Sequence, residues 1–284
     1  MGRFGSYDGT LLAYREVGSG PPLVCVPGGP GRAGEYLGDL GGLSGTRTLL
    51  VLDNRGTGES AVPVDPDSYR MDRLVHDVEA FRAHLGLDAV DLLGHSAAGA
   101  VTTLYAATHP DRIARLVQVT PSTGAAGVRP TEEEYEAAIA RRGGEPWFDE
   151  ALPALWAWAR AETYEETVRH RVAANPFFYG AWTEAARAHA AADPLQRSVP
   201  ATIGFSEGPD PDTAMVRAAL RGLEAPVLVL AGELDLSPTP AVAREYAAVF
   251  PHGELVVQPD AGHFPWVDDP AWFAAAVEDF LAST

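Results

Sequence analysis

The chain has 284 residues, 46% of them hydrophobic and 21% charged, which suits one large α/β domain carrying an insertion and excludes a disordered chain. Its net charge is −18 and its 21 basic residues are all arginine, so it has no basic footprint for nucleic acid and no lysine for a phosphate-binding P-loop. The single cysteine, Cys25, forbids an internal disulfide, and no apolar run reaches the ~18 residues of a membrane helix, so a reduced cytoplasm is the expected location.

In chain order, LLAYREV is followed by a Gly-Ser-Gly turn at 18–20 and then by PLVCVPGGPG. This reads as a hairpin feeding a buried strand, with Cys25 as a small hydrophobe inside it. The N-terminal segment has no continuous apolar stretch of the signal-peptide kind. RTLLVLDNRGTGES is a second buried strand running into a glycine-rich loop. Leu74, Val75, Val78, Phe81 and Leu85 recur at helical spacing and predict an amphipathic helix. AVDLLGHS is a third strand, AAGAVTTLYAATHP a helix stopped by Pro110, and IARLVQVTP a fourth strand. The rhythm resumes at PVLVLAGELD and continues as helix, strand (GELVVQPDAGH) and closing helix. Strands alternating with helices predict βαβ units and a mostly parallel sheet with helices on both faces.

Residues 122–222 break that rhythm with helical stretches, the first announced by the capping box Thr131/Glu134. We read them as a helical cap inserted between two halves of one core, residues 1–121 and 223–284. The insertion holds Trp147, Trp156, Trp158, Trp182, Phe177, Phe178 and Tyr179. Most of these are expected to pack the helices onto the core, and at least two to line an apolar pocket at the sheet edge.

In a parallel sheet, chemistry collects at the carboxyl ends of strands. Three such positions stand out. Ser96 lies in GHSAAG (Gly94–Gly99), between a strand and a helix, where a sharp elbow presents a nucleophile. Ala98 stands where the G-x-S-x-G pattern has glycine, a cost of one methyl. Asp235 follows PVLVLAG and is placed to orient a histidine; otherwise it is a turn aspartate. His263 follows the last strand and is placed to act as general base and then general acid. The order Ser96, Asp235, His263 is that of the α/β-hydrolase arrangement. The backbone N–H groups of Ala97 and of Gly29, in the loop PGGPG at 27–31, are the expected oxyanion donors. No metal or other cofactor is called for.

Together these motifs resemble the proline iminopeptidase family within the α/β-hydrolase superfamily. PGGPG is similar to that family's HGGPG loop, with Pro27 in place of histidine. DNRGTGES, 53–60, is similar to its D-x-R-G-x-G-x-S segment. GHSAAG is similar to its G-x-S-W-G-[GS] elbow, with Ala97 in place of tryptophan and Ala98 in place of glycine. The resemblance implies an α/β-hydrolase fold with a helical cap. It implies an aminopeptidase or amidohydrolase that releases an N-terminal or small aminoacyl group, including from natural-product amines. The partner would be a small molecule or peptide with a free amino group, and cap glutamates, here Glu184 and Glu207, would bind that group. DNRG would brace the oxyanion loop, with Asp53 and Arg55 supporting loops rather than reacting. The missing tryptophan would enlarge the acyl pocket or reshape its floor. An esterase or lactonase with the same triad is the alternative, and a non-catalytic binding homologue a more distant one.

Overall fold

The computed structural model describes residues 1–283. Eight strands form one sheet: β1 (Gly2–Gly5), β2 (Leu11–Gly18), β3 (Pro22–Val26), β4 (Thr48–Asp53), β5 (Val90–His95), β6 (Ile113–Val119), β7 (Val227–Gly232) and β8 (Gly253–Gln258). Their order across the sheet is β1-β2-β4-β3-β5-β6-β7-β8. Every pair from β4 onward is parallel, while β2 is antiparallel to both neighbours. The expected hairpin is therefore displaced. β2 pairs with β1 and β4, and never with β3, because the turn at Gly18–Gly20 carries the chain past the position β4 fills.

The central strands are apolar throughout because both faces are covered. Val24, Val26, Leu92, Leu116, Val227 and Val229 face one layer of helices. That layer holds α1 (Met71–His84), α2 (Ala98–Thr108) and α9 (Pro240–Ala247). Leu23, Cys25, Leu93, Val117, Leu228 and Leu230 face the other, whose helix is α11 (Pro270–Ala282), preceded by the short α10 (Pro265–Asp268). Buried neighbours thus alternate along each strand with the period of two that the pleat imposes.

Between β6 and β7 run α3 (Glu132–Ala140), α4 (Phe148–Ala159), α5 (Tyr164–Ala174), α6 (Glu184–Ala192), α7 (Val199–Gly204) and α8 (Thr213–Leu220). The Thr131/Glu134 box opens α3, and a second one, Thr163 with Glu166, starts α5 as a helix separate from α4. Helix α8 packs on α2, burying Val216 and Leu220 in the α1–α2–α9 layer. Phe177 and Phe178 join the cluster on the opposite face. No helix among the described residues is long and apolar enough to cross a membrane.

Candidate active site

β5 ends at His95, and the chain reverses through Ser96 into α2. Ser96 has φ of +54°, in the left-handed region that L-residues avoid, and its own hydrogen bonds hold it there. Its N–H donates to the Val119 carbonyl at 3.1 Å, and its carbonyl accepts from Gly99 and Ser122 at 2.8 Å each. A Cβ at Gly94 would stand 2.7 Å from Thr102 Oγ1, and one at Gly99 2.5 Å from Pro121 Cβ and 2.8 Å from Ser122 N. Close approach is thus required at 94 and 99. Ala98 is buried at the start of α2 and fits.

The three sequence candidates meet. His263 Nε2 lies 2.8 Å from Ser96 Oγ, and His263 Nδ1 lies 2.9 Å from Asp235 Oδ2. The other carboxylate oxygen of Asp235 accepts the Ser237 N–H at 3.0 Å, which fixes the plane of the carboxylate. Asp235 is buried, and His263 nearly so.

The loop after β3 runs against Ser96. A Cβ at Gly28 would lie 2.3 Å from the His95 carbonyl oxygen and 2.9 Å from Ser96 Cβ, so only glycine fits. Gly29 follows with φ of +124°, and neither its N–H nor that of Ala97 donates to another group of the described chain. Asn54 braces this loop, donating to the Pro27 carbonyl at 3.0 Å. The neighbouring residues of the DNRG stretch tie other segments. Asp53 accepts from Gly34 N–H, and Arg55 pairs with Asp8 and Asp77.

A cavity of about 220 Å³ opens over Ser96, lined by Gly29, Ala97, His263, Trp158 and Phe178 among others. Of the seven inserted aromatics, these last two reach it; Trp147 instead packs edge-on to Phe177, and Tyr179 stacks on Phe264. Glu184 and Glu207 do not reach it. Helix α6 turns Ala186 and Ala190 inward and leaves Glu184 exposed in its first turn, while Glu207 is exposed in the loop beyond α7. The carboxylate that does line the cavity is Asp193, which accepts from Arg197 at 2.6 and 2.8 Å and pairs with Arg32 at 3.3 Å. Burial pushes its pKa up, but the Arg197 hydrogen bonds and the charges of Arg171, Arg197 and Arg32 outweigh that, and the net direction is down.

Sequence reading also missed His95 and Tyr36. Tyr36 Oη accepts the Gly28 N–H at 2.8 Å and lies 2.6 Å from His95 Nδ1, and His95 Nε2 lies 3.0 Å from the His263 carbonyl. Burial and the neighbouring His263 hold the His95 pKa well below the ordinary value, so the ring is neutral. His95 fills the variable place of the elbow pattern and Tyr36 lies outside every motif, so neither carried a sequence signal.

The family model for the alpha/beta hydrolase fold matches residues 21–270. The chain belongs to the α/β-hydrolase family. It is similar to the proline iminopeptidases of Levilactobacillus brevis (27% identical, 95% of this chain and 92% of the relative) and Heyndrickxia coagulans (24% identical, 95% and 93%). Among solved structures, the esterase RhEst1 from Rhodococcus sp. ECU1013 aligns with a TM-score of 0.77 at 25% identity, over 99% of this chain and 98% of its own. This α/β hydrolase is thus similar, over nearly its whole length, to proline iminopeptidases and to an esterase.

Proposed function

We propose that this chain is a serine hydrolase acting on small carboxylic esters through a covalent acyl-enzyme, with α3–α7 forming a cap over the site. The observation that carries the reading is the continuous line Ser96 Oγ–His263 Nε2, Nδ1–Asp235, at 2.8 and 2.9 Å. Ser96 Oγ attacks the carbonyl carbon as His263 Nε2 takes its proton, and Asp235 holds the ring in the tautomer that makes this possible. The carbonyl oxygen becomes an oxyanion facing the Gly29 and Ala97 N–H groups. Collapse expels the alcohol, which takes the proton from His263. Water, deprotonated by His263, then attacks the acyl-enzyme and releases the acid.

Cleavage of an aminoacyl amide uses the same steps, and likeness to proline iminopeptidases supports it. It needs an acid for the substrate ammonium, however. The one carboxylate of the cavity wall, Asp193, is already engaged by arginines. That favours the ester reading.

Treatment with a fluorophosphonate probe tests the mechanism. Ser96 should be labelled, and the Ser96→Ala variant should neither label nor turn over p-nitrophenyl butyrate. Absence of labelling in folded wild-type protein would overturn the reading.

A further inference from the structure

The cavity over Ser96 is positively charged although the chain carries −18. Its wall holds Arg32, Arg171 and Arg197 against one carboxylate, Asp193. The neighbouring His189 adds no charge, since burial, with Arg32 second, pulls its pKa down to about 4. Asp235 belongs to His263. Two positive charges are therefore left over in a largely buried place.

The three guanidiniums are not equivalent. Arg32 donates to Gln196 and the His189 carbonyl, pairs with Asp193 and lies over the Tyr36 ring at 4.4 Å. Arg197 grips Asp193 with two nitrogens and gives the third to the Gly29 and Pro30 carbonyls of the oxyanion loop. Both have placed their donors within the protein. Arg171 has not. Its nearest carboxylate oxygen, on Asp193, is 4.0 Å away, beyond hydrogen-bonding distance. Its guanidinium makes no hydrogen bond within the described chain, and its Nε is buried without a partner. The guanidinium lies over Phe178 at 4.6 Å and 5.8 Å from Trp158, the two aromatics of the cavity wall. Burial first, then the charge of Arg197, pull its pKa down to about 10, against the opposing effect of Asp193. The Arg171 side chain is still 16% exposed, so its outer nitrogens are open to the cavity while its Nε is shut away without a partner, and an anion entering the cavity would complete the fork.

We infer that Arg171, backed by Arg32 and Arg197, is a recognition site for a carboxylate carried by the substrate. This rests on the hydrolase reading and deepens it: the substrate is a small ester with a second, ionised carboxyl group, and not one with a free amine. Arg171 would meet that carboxylate with its planar fork, a geometry that lysine lacks. The uncompensated field would also repel an ammonium.

Two matched pairs of substrates test this, one with the charge on each side of the ester bond. They are mono-p-nitrophenyl glutarate against p-nitrophenyl valerate, and the butyric ester of glycolate against ethyl butyrate. In one pair at least, kcat/KM should favour the charged ester by about tenfold or more, the size of one charge-assisted hydrogen bond. In Arg171→Met that ratio should fall about tenfold, chiefly through KM, with Arg171→Lys between the two. A ratio of one or less in both pairs, or a ratio indifferent to Arg171→Met, overturns the proposal. Should Arg171→Met fail to fold, competition in wild type decides. Glutarate should inhibit turnover of p-nitrophenyl valerate, and prolinamide should not; the reverse overturns the proposal. Calorimetry of glutarate with Ser96→Ala separates the two readings. Fluorophosphonate labelling without glutarate binding removes the carboxylate site and leaves the hydrolase. Glutarate binding without labelling removes the hydrolase. Binding of inorganic phosphate in place of glutarate overturns the carboxylate assignment.

Discussion

His95 Nε2 donates to the main-chain carbonyl of His263 at 3.0 Å, so the residue just before Ser96 holds the loop that carries His263. The tautomer follows from the network. Tyr36 Oη accepts the Gly28 N–H, so its own proton goes to His95 Nδ1, which leaves the proton on Nε2. Thr120 Oγ1 donates to the same His263 carbonyl at 3.0 Å. Oxyanion loop, elbow and base loop are thereby tied through one neutral ring. His95→Ala should lower kcat by about tenfold to a hundredfold with little change in KM, because misplacement of the base by an ångström costs that much. His95→Gln, which keeps a donor near the Nε2 position, should recover part of the loss. Steady-state kinetics on p-nitrophenyl butyrate checks both.

Asp235 has a sharper expected effect. With asparagine there, the amide places an N–H donor or a weaker acceptor toward His263 Nδ1, and the ring is no longer held with its Nε2 lone pair facing Ser96. Asp235→Asn should reduce kcat by about four orders of magnitude while leaving Tm within a few degrees. A loss of less than tenfold would show that another group orients His263.

Gly99→Ala should destabilise the fold by about 1–3 kcal/mol, since the new methyl meets Pro121 and main chain that cannot swing aside. Ala98→Gly should cost about 1 kcal/mol through helix propensity and bring no gain in activity. Urea denaturation of the two variants measures the contrast.

That contrast also shows where the sequence was legible. Ser96, Asp235 and His263 were readable because each follows an apolar strand, and a parallel sheet brings strand ends together whatever the intervening chain does. G-x-S-x-G pointed to position 98, while the steric demand falls on Gly99, against a loop the pattern does not describe. The cavity wall was not readable. Arg171 meets Arg32, Asp193 and Arg197 only through the packing of α5 and of the segment after α6 on the oxyanion loop, and that packing has no fixed sequence spacing. Glu184 and Glu207 were chosen by residue type and fell outside for the same reason.

Asp77 is fully buried and pairs with Arg55, which also holds Asp8 at 2.7 Å and joins the loop after β4 to α1. Asp77→Ala should cost about 3 kcal/mol, because the buried guanidinium of Arg55 loses the partner of two of its nitrogens and keeps only Asp8. The double variant Arg55→Met/Asp77→Ala should lose less than the sum of the two single changes. Additive losses in chemical denaturation would show the pair to be uncoupled.

His189 supplies a dependence on pH. It sits between Tyr179 Oη at 2.7 Å and the Tyr36 carbonyl at 3.2 Å, and so joins α6 to Tyr36, whose hydroxyl accepts the Gly28 N–H. Burial, with Arg32 second, pulls its pKa to about 4, below the ordinary value of 6.5. The folded state therefore binds this proton less tightly than the unfolded chain. The contribution to stability is complete above about pH 6.5 and is lost as pH falls toward 4, to a maximum of about 3 kcal/mol. His189→Gln keeps a polar group in the gap and removes the titration. Its stability should fall less steeply than that of wild type between pH 6.5 and 4, in parallel urea titrations. Equal slopes would mean that His189 titrates alike in both states, and that neither its burial nor Arg32 shifts it.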